Sequence, residues 1–250
     1  MKARSSGSSD VFRVDGLASV LEYLRHKPTI VKAVYCTDAA VREAAPLLQE
    51  FGVVPKRFVP PKDEVPSAGR NSPVWAEIAL ESLDQGDFFA RVRQREGQKE
   101  DLILALDHVV DPRNVGAMVR TAAFFGIREV LVPERRQALL ANASVNTAQG
   151  GFALCDLVVV VNLGRTLEEL KELGYWIIGA DMGGETIDAI RSSNYGKIIL
   201  VMGSEESGLA PGIRSKCDRM VSIFGKAGGL ESLNVSVAAG ILMQQLGTSR

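Results

Sequence analysis

Leu200-Val-Met-Gly-Ser-Glu-Glu-Ser-Gly-Leu209, and after a gap Leu230-Glu-Ser-Leu-Asn-Val-Ser-Val-Ala-Ala-Gly240, are the two stretches on which the reading of this chain turns. The apolar run from Lys197 to Met202 predicts a buried strand that feeds a glycine turn. Gly203 lets the backbone turn and approach a ligand where a side chain would clash. Glu205 follows as a fixed carboxylate, and Gly208 opens a second turn. In the second stretch a polar loop feeds a small-residue helix. Ser232 and Asn234 are good capping residues with exposed side-chain oxygens. A strand end, glycine loops and a helix N-terminus together have the form of a site.

At 250 residues the chain makes one large domain or two small ones. No apolar run approaches the length of a membrane span. Residues 1–10 begin Met1-Lys-Ala-Arg-Ser-Ser-Gly-Ser-Ser9, which lacks the apolar segment of a signal peptide and predicts a disordered tail. Cys36, Cys155 and Cys217 are few, odd in number and far apart. That argues against a disulfide framework or zinc site and places the chain in a reducing cytoplasm. His26 and His108 belong to no HExxH or Cys/His cluster, so no metal is expected. The net charge of -1 announces no nucleic-acid partner, so one would need a local basic surface. Arg91, Arg93, Arg95, Lys99, Arg113, Arg120, Arg128, Arg135 and Arg136 are the candidates. Glu96, Glu100 and Glu134 are interspersed, and charge alone leaves open whether this is a patch or an ordinary solvated surface.

The pattern predicts two α/β units. In residues 11–83, a helix over Asp15 to His26 carries Leu17, Leu21 and Leu24 at helical spacing, with Asp15 as its cap. A strand over Ile30 to Cys36 follows, then a helix over Asp38 to Phe51 capped by Asp38. Strands over Val53 to Val59, ended by Pro60-Pro61, and over Val74 to Leu80 complete the unit. Residues 84–100 are polar and read as a linker with one helical turn. From 101 to 250 strands alternate with helices. Strands are expected at Leu102–Leu106, Glu129–Val132, Asp156–Val161, Trp176–Ala180, Ile198–Met202 and Val221–Phe224. Helices are expected at Pro112–Phe125, Leu163–Leu173 and Asn234–Leu246. Such alternation implies a mostly parallel sheet, with ligands at the carboxyl ends of its strands. Asp181-Met-Gly-Gly184 reads as a further glycine turn there, so the turns at Gly183, Gly203 and Gly228 are expected to lie together.

Asn114-Val-Gly-Ala-Met-Val-Arg120 sits at a helix start. Asn114 and Arg120 are six residues apart and do not share a helix face. Gly203-Ser-Glu-Glu-Ser-Gly208 lacks the lysine of a phosphate loop, and no dinucleotide fingerprint is present. Taken together, N-x-G-x-x-x-R, V-M-G-S-E-x-x-G-L and S-L-N-V-S-V-A-A-G-I-L, in this order, resemble the SpoU (TrmH-type) family of RNA 2′-O-ribose methyltransferases of the SPOUT class. The resemblance covers about Leu102 to Leu246. More weakly, the first unit resembles the L30e-like substrate-binding domain of the RlmB-type 23S rRNA guanosine enzymes.

The resemblance implies an α/β SPOUT domain with a deep trefoil knot behind a small L30e-like domain. It implies S-adenosylmethionine as cofactor, contacted by Gly203, Ile223 and Leu233 with Ala180 and Asp181 nearby. It implies a homodimer acting on RNA, with 23S rRNA ahead of tRNA; a knotted RNA-binding protein without catalysis is the alternative. Arg120 is cast as the group that activates the ribose hydroxyl, either deprotonated or as a cation stabilising the forming alkoxide. Glu205 is expected to hold Arg120 by a bidentate pair, while Asn114, Ser232 and Asn234 position ribose, arginine or cofactor. Ile223-Phe224-Gly225 stands where the family has Ile-Pro-Met. Asn71-Ser-Pro-Val-Trp-Ala76 stands where the guanosine enzymes have a His-Gln-Gly-like run.

Overall fold

The computed structural model describes residues 10–59, 72–134, 140–193, 195–225 and 232–247. In chain order the first unit holds β1 (Val11–Asp15), α1 (Leu17–His26), β2 (Val31–Cys36), α2 (Asp38–Gln49), β3 (Lys56–Arg57) and β4 (Val74–Ala79). Helix α3 (Gln85–Gln94) leads into β5 (Asp101–Leu106), α4 (Pro112–Phe124), β6 (Glu129–Pro133), α5 (Asn142–Ala148) and β7 (Asp156–Val160). Then come α6 (Leu163–Glu172), β8 (Trp176–Thr186), α7 (Ile187–Ser192), β9 (Lys197–Met202), α8 (Pro211–Arg214), β10 (Arg219–Ser222) and α9 (Val235–Gly247).

The small sheet has the order β1-β4-β2-β3, with β4 antiparallel to both its neighbours and β3 parallel to β2. Its strands alternate. Phe12, Val14, Val34, Ala76 and Ile78 are buried with Val20 and Leu24 of α1 and Leu48 of α2, while Arg13, Tyr35 and Trp75 stay half-buried on the other face. The large sheet is parallel throughout, in the order β10-β8-β9-β5-β6-β7. Its central strands are continuous apolar runs because both faces are covered. Leu104, Leu106 and Leu200 join one core; Ile103, Ala105, Ile199 and Val201 join the other.

Several local expectations need correction. Asp15 ends β1, a strand not foreseen, and Gly16 stands at the start of α1 with φ 92 and no side-chain cap. Thr37, not Asp38, caps α2, its Oγ1 accepting from the Ala40 N–H. Of Val53 to Val59 only Lys56 and Arg57 pair as a strand. Residues 84–100 are not a bare linker. Asp84 caps α3 by accepting from Gly86 N–H at 2.6 Å and Asp87 N–H at 3.0 Å, and Phe88, Phe89 and Val92 are buried in the core of the large sheet. The polar majority of that helix hides its apolar face. Helix α5 was also unforeseen. Strand β8 does not stop at Ala180 but runs to Thr186, while its pairing with β10 jumps from Gly179–Met220 to Glu185–Val221. The segment between bulges outward, with Gly183 N–H donating to Asp181 Oδ1 at 2.9 Å. The expected tail, Pro60-Pro61, Asn71, Arg135, Arg136 and Gly228 lie outside the described residues.

Polar contacts tie the units together. Asn142 Oδ1 accepts from Arg13 N–H at 2.9 Å and Asn146 Oδ1 from Asp15 N–H at 2.9 Å, while Asn146 Nδ2 donates to the Arg13 carbonyl at 3.0 Å. Two asparagines of α5 thus satisfy the open edge of β1, where an unpaired strand would otherwise invite another chain. Lys27, just after α1, donates to the Phe152 carbonyl at 2.7 Å and to Asp156 Oδ1 at 2.5 Å. Arg91 Nη1 meets the other Asp156 oxygen at 2.6 Å.

Candidate active site

The carboxyl ends of β8, β9 and β10 open onto a cavity of about 420 Å³. Its apolar wall includes Met202, Val221, Ala238 and Leu242, and its polar rim Asp181, Ser204, Glu205 and Ser232. Gly203 marks the point where β9 leaves the sheet. A Cβ there would lie 2.3 Å from the Gly208 carbonyl carbon and 2.5 Å from Leu209 N. The glycine is therefore required by the protein's own returning backbone. Ser204 and Gly208 exchange both backbone hydrogen bonds at 3.0 Å, and Gly208 turns the chain with φ 65. This closes a tight loop with Glu205 projecting from it.

Glu205 Oε1 accepts from Asn234 Nδ2 at 2.7 Å, from Val235 N–H at 3.1 Å and from Asn114 Nδ2 at 3.3 Å. Asn234 Nδ2 also donates to Asn114 Oδ1 at 3.1 Å. Asn234 Oδ1 in turn accepts from Ser236 N–H at 2.9 Å and from its hydroxyl at 2.6 Å, so Asn234 caps the start of α9. The carboxylate also meets a free N–H at that helix N-terminus, where negative charge is favoured. Residues far apart in sequence thus converge, and Asn114, Glu205 and Asn234 form one cluster.

Arg120 is not in it. Glu205 Oε1 is held by the two asparagines and the Val235 N–H, and the expected Glu205–Arg120 pair is not formed. Arg120 is exposed, outside the cavity lining, and its side chain makes no hydrogen bond or ion pair among the described residues. Its backbone packs beneath Gly151, whose Cβ would fall 3.0 Å from the Arg120 Cα. Gly116 of the same motif serves packing too: a Cβ would stand 2.4 Å from the Ser144 carbonyl oxygen of α5. Only glycine lets α4 and α5 approach so closely.

The cavity collects the other candidates: Ala180, Asp181, Gly203, Ile223 and Leu233, with Ser232, all line it. Asp181 is ion-paired with Arg214. The Gly183 and Gly203 turns therefore converge through their neighbours. Asp107 was missed. It is 2 % exposed, and its Oδ2 accepts from Ala210 N–H at 2.7 Å while its own N–H donates to the Met202 carbonyl at 2.8 Å. It clamps the limb that returns from the Glu205 loop. The signal was a lone carboxylate ending the apolar strand Asp101–Leu106. His108 Nδ1 lies 2.5 Å from the other Asp107 oxygen, on a backbone with φ 60.

Of the basic run, Arg95 is buried against Asp101 and Glu129 and Arg91 is held by Asp156. Lys99, Arg113, Arg120 and Arg128 remain exposed. Burial pushes the Cys36, Cys155 and Cys217 thiols up, Cys217 to about 11, so none is a ready nucleophile at neutral pH. No group of metal-binding side chains occurs among the described residues, and none of their helices is long and apolar enough to cross a membrane.

A model of the SpoU rRNA methylase family matches residues 101–244, which span this cavity and cluster. The chain belongs to that family. An uncharacterized tRNA/rRNA methyltransferase of Mycobacterium avium (strain 104) is 41 % identical over 155 residues, 62 % of this chain and 49 % of the relative. One from Mycolicibacterium gilvum is 42 % identical over 150 residues, 60 % of this chain and 47 % of the relative. The chain thus spans about half the length of the curated relatives it matches. The fold matches the SpoU methyltransferase AviRb of Streptomyces viridochromogenes, solved with AdoMet, with a TM-score of 0.74 and 21 % identity over 95 % of this chain and 89 % of that one. An rRNA methyltransferase of Sinorhizobium meliloti gives 0.72 and 18 % over 95 % and 87 %. These likenesses establish the α/β architecture with its mostly parallel sheet.

Proposed function

We propose that the chain is an S-adenosylmethionine-dependent RNA ribose 2′-O-methyltransferase acting on rRNA, with tRNA as the second candidate. The observation that carries this reading is the Asn114–Glu205–Asn234 cluster at the rim of the cavity, within the matched family span. The cavity suits a cofactor of nucleoside size: about 420 Å³ falls in the usual range for such ligands, with an apolar wall and few polar groups. Gly203, Ile223, Leu233 and Ala180 would hold it through backbone and apolar contact, and Asp181 would face its polar groups. Bound there, S-adenosylmethionine supplies a methyl group on a sulfonium, an electrophile that needs no metal.

The residues of the chain then have to present a ribose hydroxyl and stabilise the oxygen as it loses its proton. Glu205 spends one oxygen on the cluster, which leaves the other to accept a hydrogen bond from that hydroxyl and then its proton. Asn114 and Asn234 fix the carboxylate and so the angle of approach. Arg120 stays cationic, because guanidinium does not deprotonate at ordinary pH. It is exposed, with no carboxylate paired to it among the described residues, which suits a role against phosphate and developing alkoxide. Because it does not line the cavity of its own chain, we assign it to the site of a second copy in a homodimer. Exposed Phe124 of α4 and Val237 of α9, on helices packed together, fit such a contact. The deep trefoil knot, the L30e-like character of the first unit and a cytoplasmic location belong to the same proposal.

The test is methyl transfer from labelled S-adenosylmethionine to unmodified rRNA and tRNA, followed by alkaline hydrolysis. A 2′-O-methyl group blocks cleavage at its own linkage, so label in alkali-resistant dinucleotides is expected. Label released as mononucleotides would place the methyl on a base and overturn the ribose assignment. Cofactor binding without transfer to either RNA would point to a missing substrate or assembly partner, and neither transfer nor cofactor binding would favour the non-catalytic alternative.

A further inference from the structure

The small sheet carries a second feature that the cavity does not use. On its open face one residue from each strand lies in a row: Arg13 of β1, Trp75 of β4, Tyr35 of β2 and Lys56 of β3. Tyr35 is in register with Trp75 on one side and with Lys56 on the other. The two rings stack at 4.0 Å with an interplanar angle of 9°. The Arg13 guanidinium covers the outer face of Trp75 at 4.5 Å, and the Lys56 ammonium lies over the outer face of Tyr35 at 5.5 Å. Phe58 meets Trp75 edge-on at 5.9 Å. In a chain with 6 % aromatic residues, three rings share one face, while both helices of the unit pack on the other.

The two ends of the row differ. Arg13 is anchored, because its side chain pairs with Asp15 at 2.8 Å and its backbone is held by α5. Lys56 is exposed and makes no ion pair among the described residues. Nearby, Glu77 accepts from the Tyr35 hydroxyl at 3.1 Å, and Arg57 pairs with Asp38 at 2.9 Å. Trp75 Nε1 is buried and has no hydrogen-bond partner among the described residues. Among the described residues, the Lys56 ammonium is the group that covers the outer face of Tyr35.

Resting on the RNA reading above, we propose that this face binds the RNA substrate by stacking one unpaired base on Tyr35. The Lys56 ammonium moves off the ring to the adjoining phosphate. A planar base replaces a cation on the π-face, and the displaced cation finds the negative charge that accompanies every base. Rings bordered by cations are the chemistry that proteins use for single-stranded RNA, tolerant of sequence because every base has a π-face. A paired duplex keeps its bases in its own stack and has none to offer.

The test is binding of labelled single-stranded oligoadenylate and of a blunt RNA duplex, each with wild type, Tyr35→Leu, Tyr35→Phe and Lys56→Ala. Trp176→Phe leaves Trp75 as the one tryptophan of the two in the chain, and its emission reports on the row. Single-strand affinity is expected to fall about tenfold or more in Tyr35→Leu and to survive in Tyr35→Phe, which keeps the ring face. Lys56→Ala should lower the salt slope by about 0.7, one phosphate contact on a single strand. Trp75 emission should change on adding oligoadenylate and not duplex. Wild-type affinity in a Tyr35→Leu protein that melts normally would overturn the assignment while rRNA methylation stood. If wild type bound neither oligoadenylate nor rRNA, the RNA reading itself would fall, and this surface with it.

Discussion

Replacing Gly203 by alanine would place a methyl group inside the protein's own backbone. The new Cβ would stand 2.3 Å from the Gly208 carbonyl carbon, against about 3.5 Å for carbon atoms in van der Waals contact. One limb of the loop must therefore move by about 1.2 Å. Overpacking of this kind costs about 1–3 kcal/mol. For a chain of this size that is a fall in Tm of about 2 to 12 °C. The functional loss should exceed the loss of stability. The limb that yields is held by two backbone hydrogen bonds and carries Glu205, whose contacts to Asn234 and Asn114 depend on its position. Displacement of about 1 Å in such a group costs on the order of a hundredfold in rate. The assay is calorimetric unfolding beside methyl transfer, with Gly212→Ala as the control. That glycine lies in α8 with nothing within 4 Å of its Cβ position, so alanine there should leave both readings unchanged. Wild-type transfer and wild-type Tm in Gly203→Ala would refute the reasoning.

Three other perturbations probe the frame around the site. Arg95→Met should lower stability by about 3–5 kcal/mol in denaturant titration, because it strips the cation from Glu129 and Asp101, 2 % and 9 % exposed. Burial already raises the Glu129 carboxyl and Arg95 opposes that rise, so adding Glu129→Gln should recover much of the loss. Asp156 is held below the usual carboxylate range: burial pushes it up, but Lys27 and Arg91 together outweigh burial. Its unfolded form therefore takes up a proton first on acidification. The stabilisation is complete above pH ~4 and is lost as pH falls through the lower folded value. Asp156→Asn should flatten the fall in Tm below pH ~4, and an unchanged slope would count against the Lys27–Asp156–Arg91 link. Asn146→Ala removes two bonds from the β1 edge. Amide exchange at Asp15 should accelerate while cofactor affinity stays constant; unchanged protection would mean that the edge is closed by something else.

The parts of the fold legible in the sequence were those where one force dominates. Strands such as Asp101–Leu106 and Lys197–Met202 are buried on both faces, and their unbroken apolar runs announce that. Helix α3 has the composition of a linker because Phe88, Phe89 and Val92 are a minority among polar neighbours. Helix α5 is hard to read from sequence because only Val145 and Ala148 mark its buried apolar side among Asn, Ser and Thr, and its close approach to α4 depends on Gly116. At the site, motif order brought Asn114, Glu205 and Asn234 into one family pattern. Spacing does not encode their mutual hydrogen bonds, and by sequence alone Arg120 is the expected partner of the carboxylate. Local charge logic favours an arginine, but the loop geometry delivers two carboxamides and a helix N-terminus instead. Asp107 acts through the Ala210 backbone, a partner that no side-chain motif can encode.

The seam at α5 has a consequence for target choice. Its asparagines grip the backbone of β1, and its own backbone is pressed against Gly116 of the helix that carries Asn114. On the proposed RNA reading, the ring-bearing face and the cavity at the strand ends are then two jaws of one caliper. An RNA strand gripped by one jaw would present to the other whichever nucleotide lies at the set span, so its address would be written in contour length as well as in base identity.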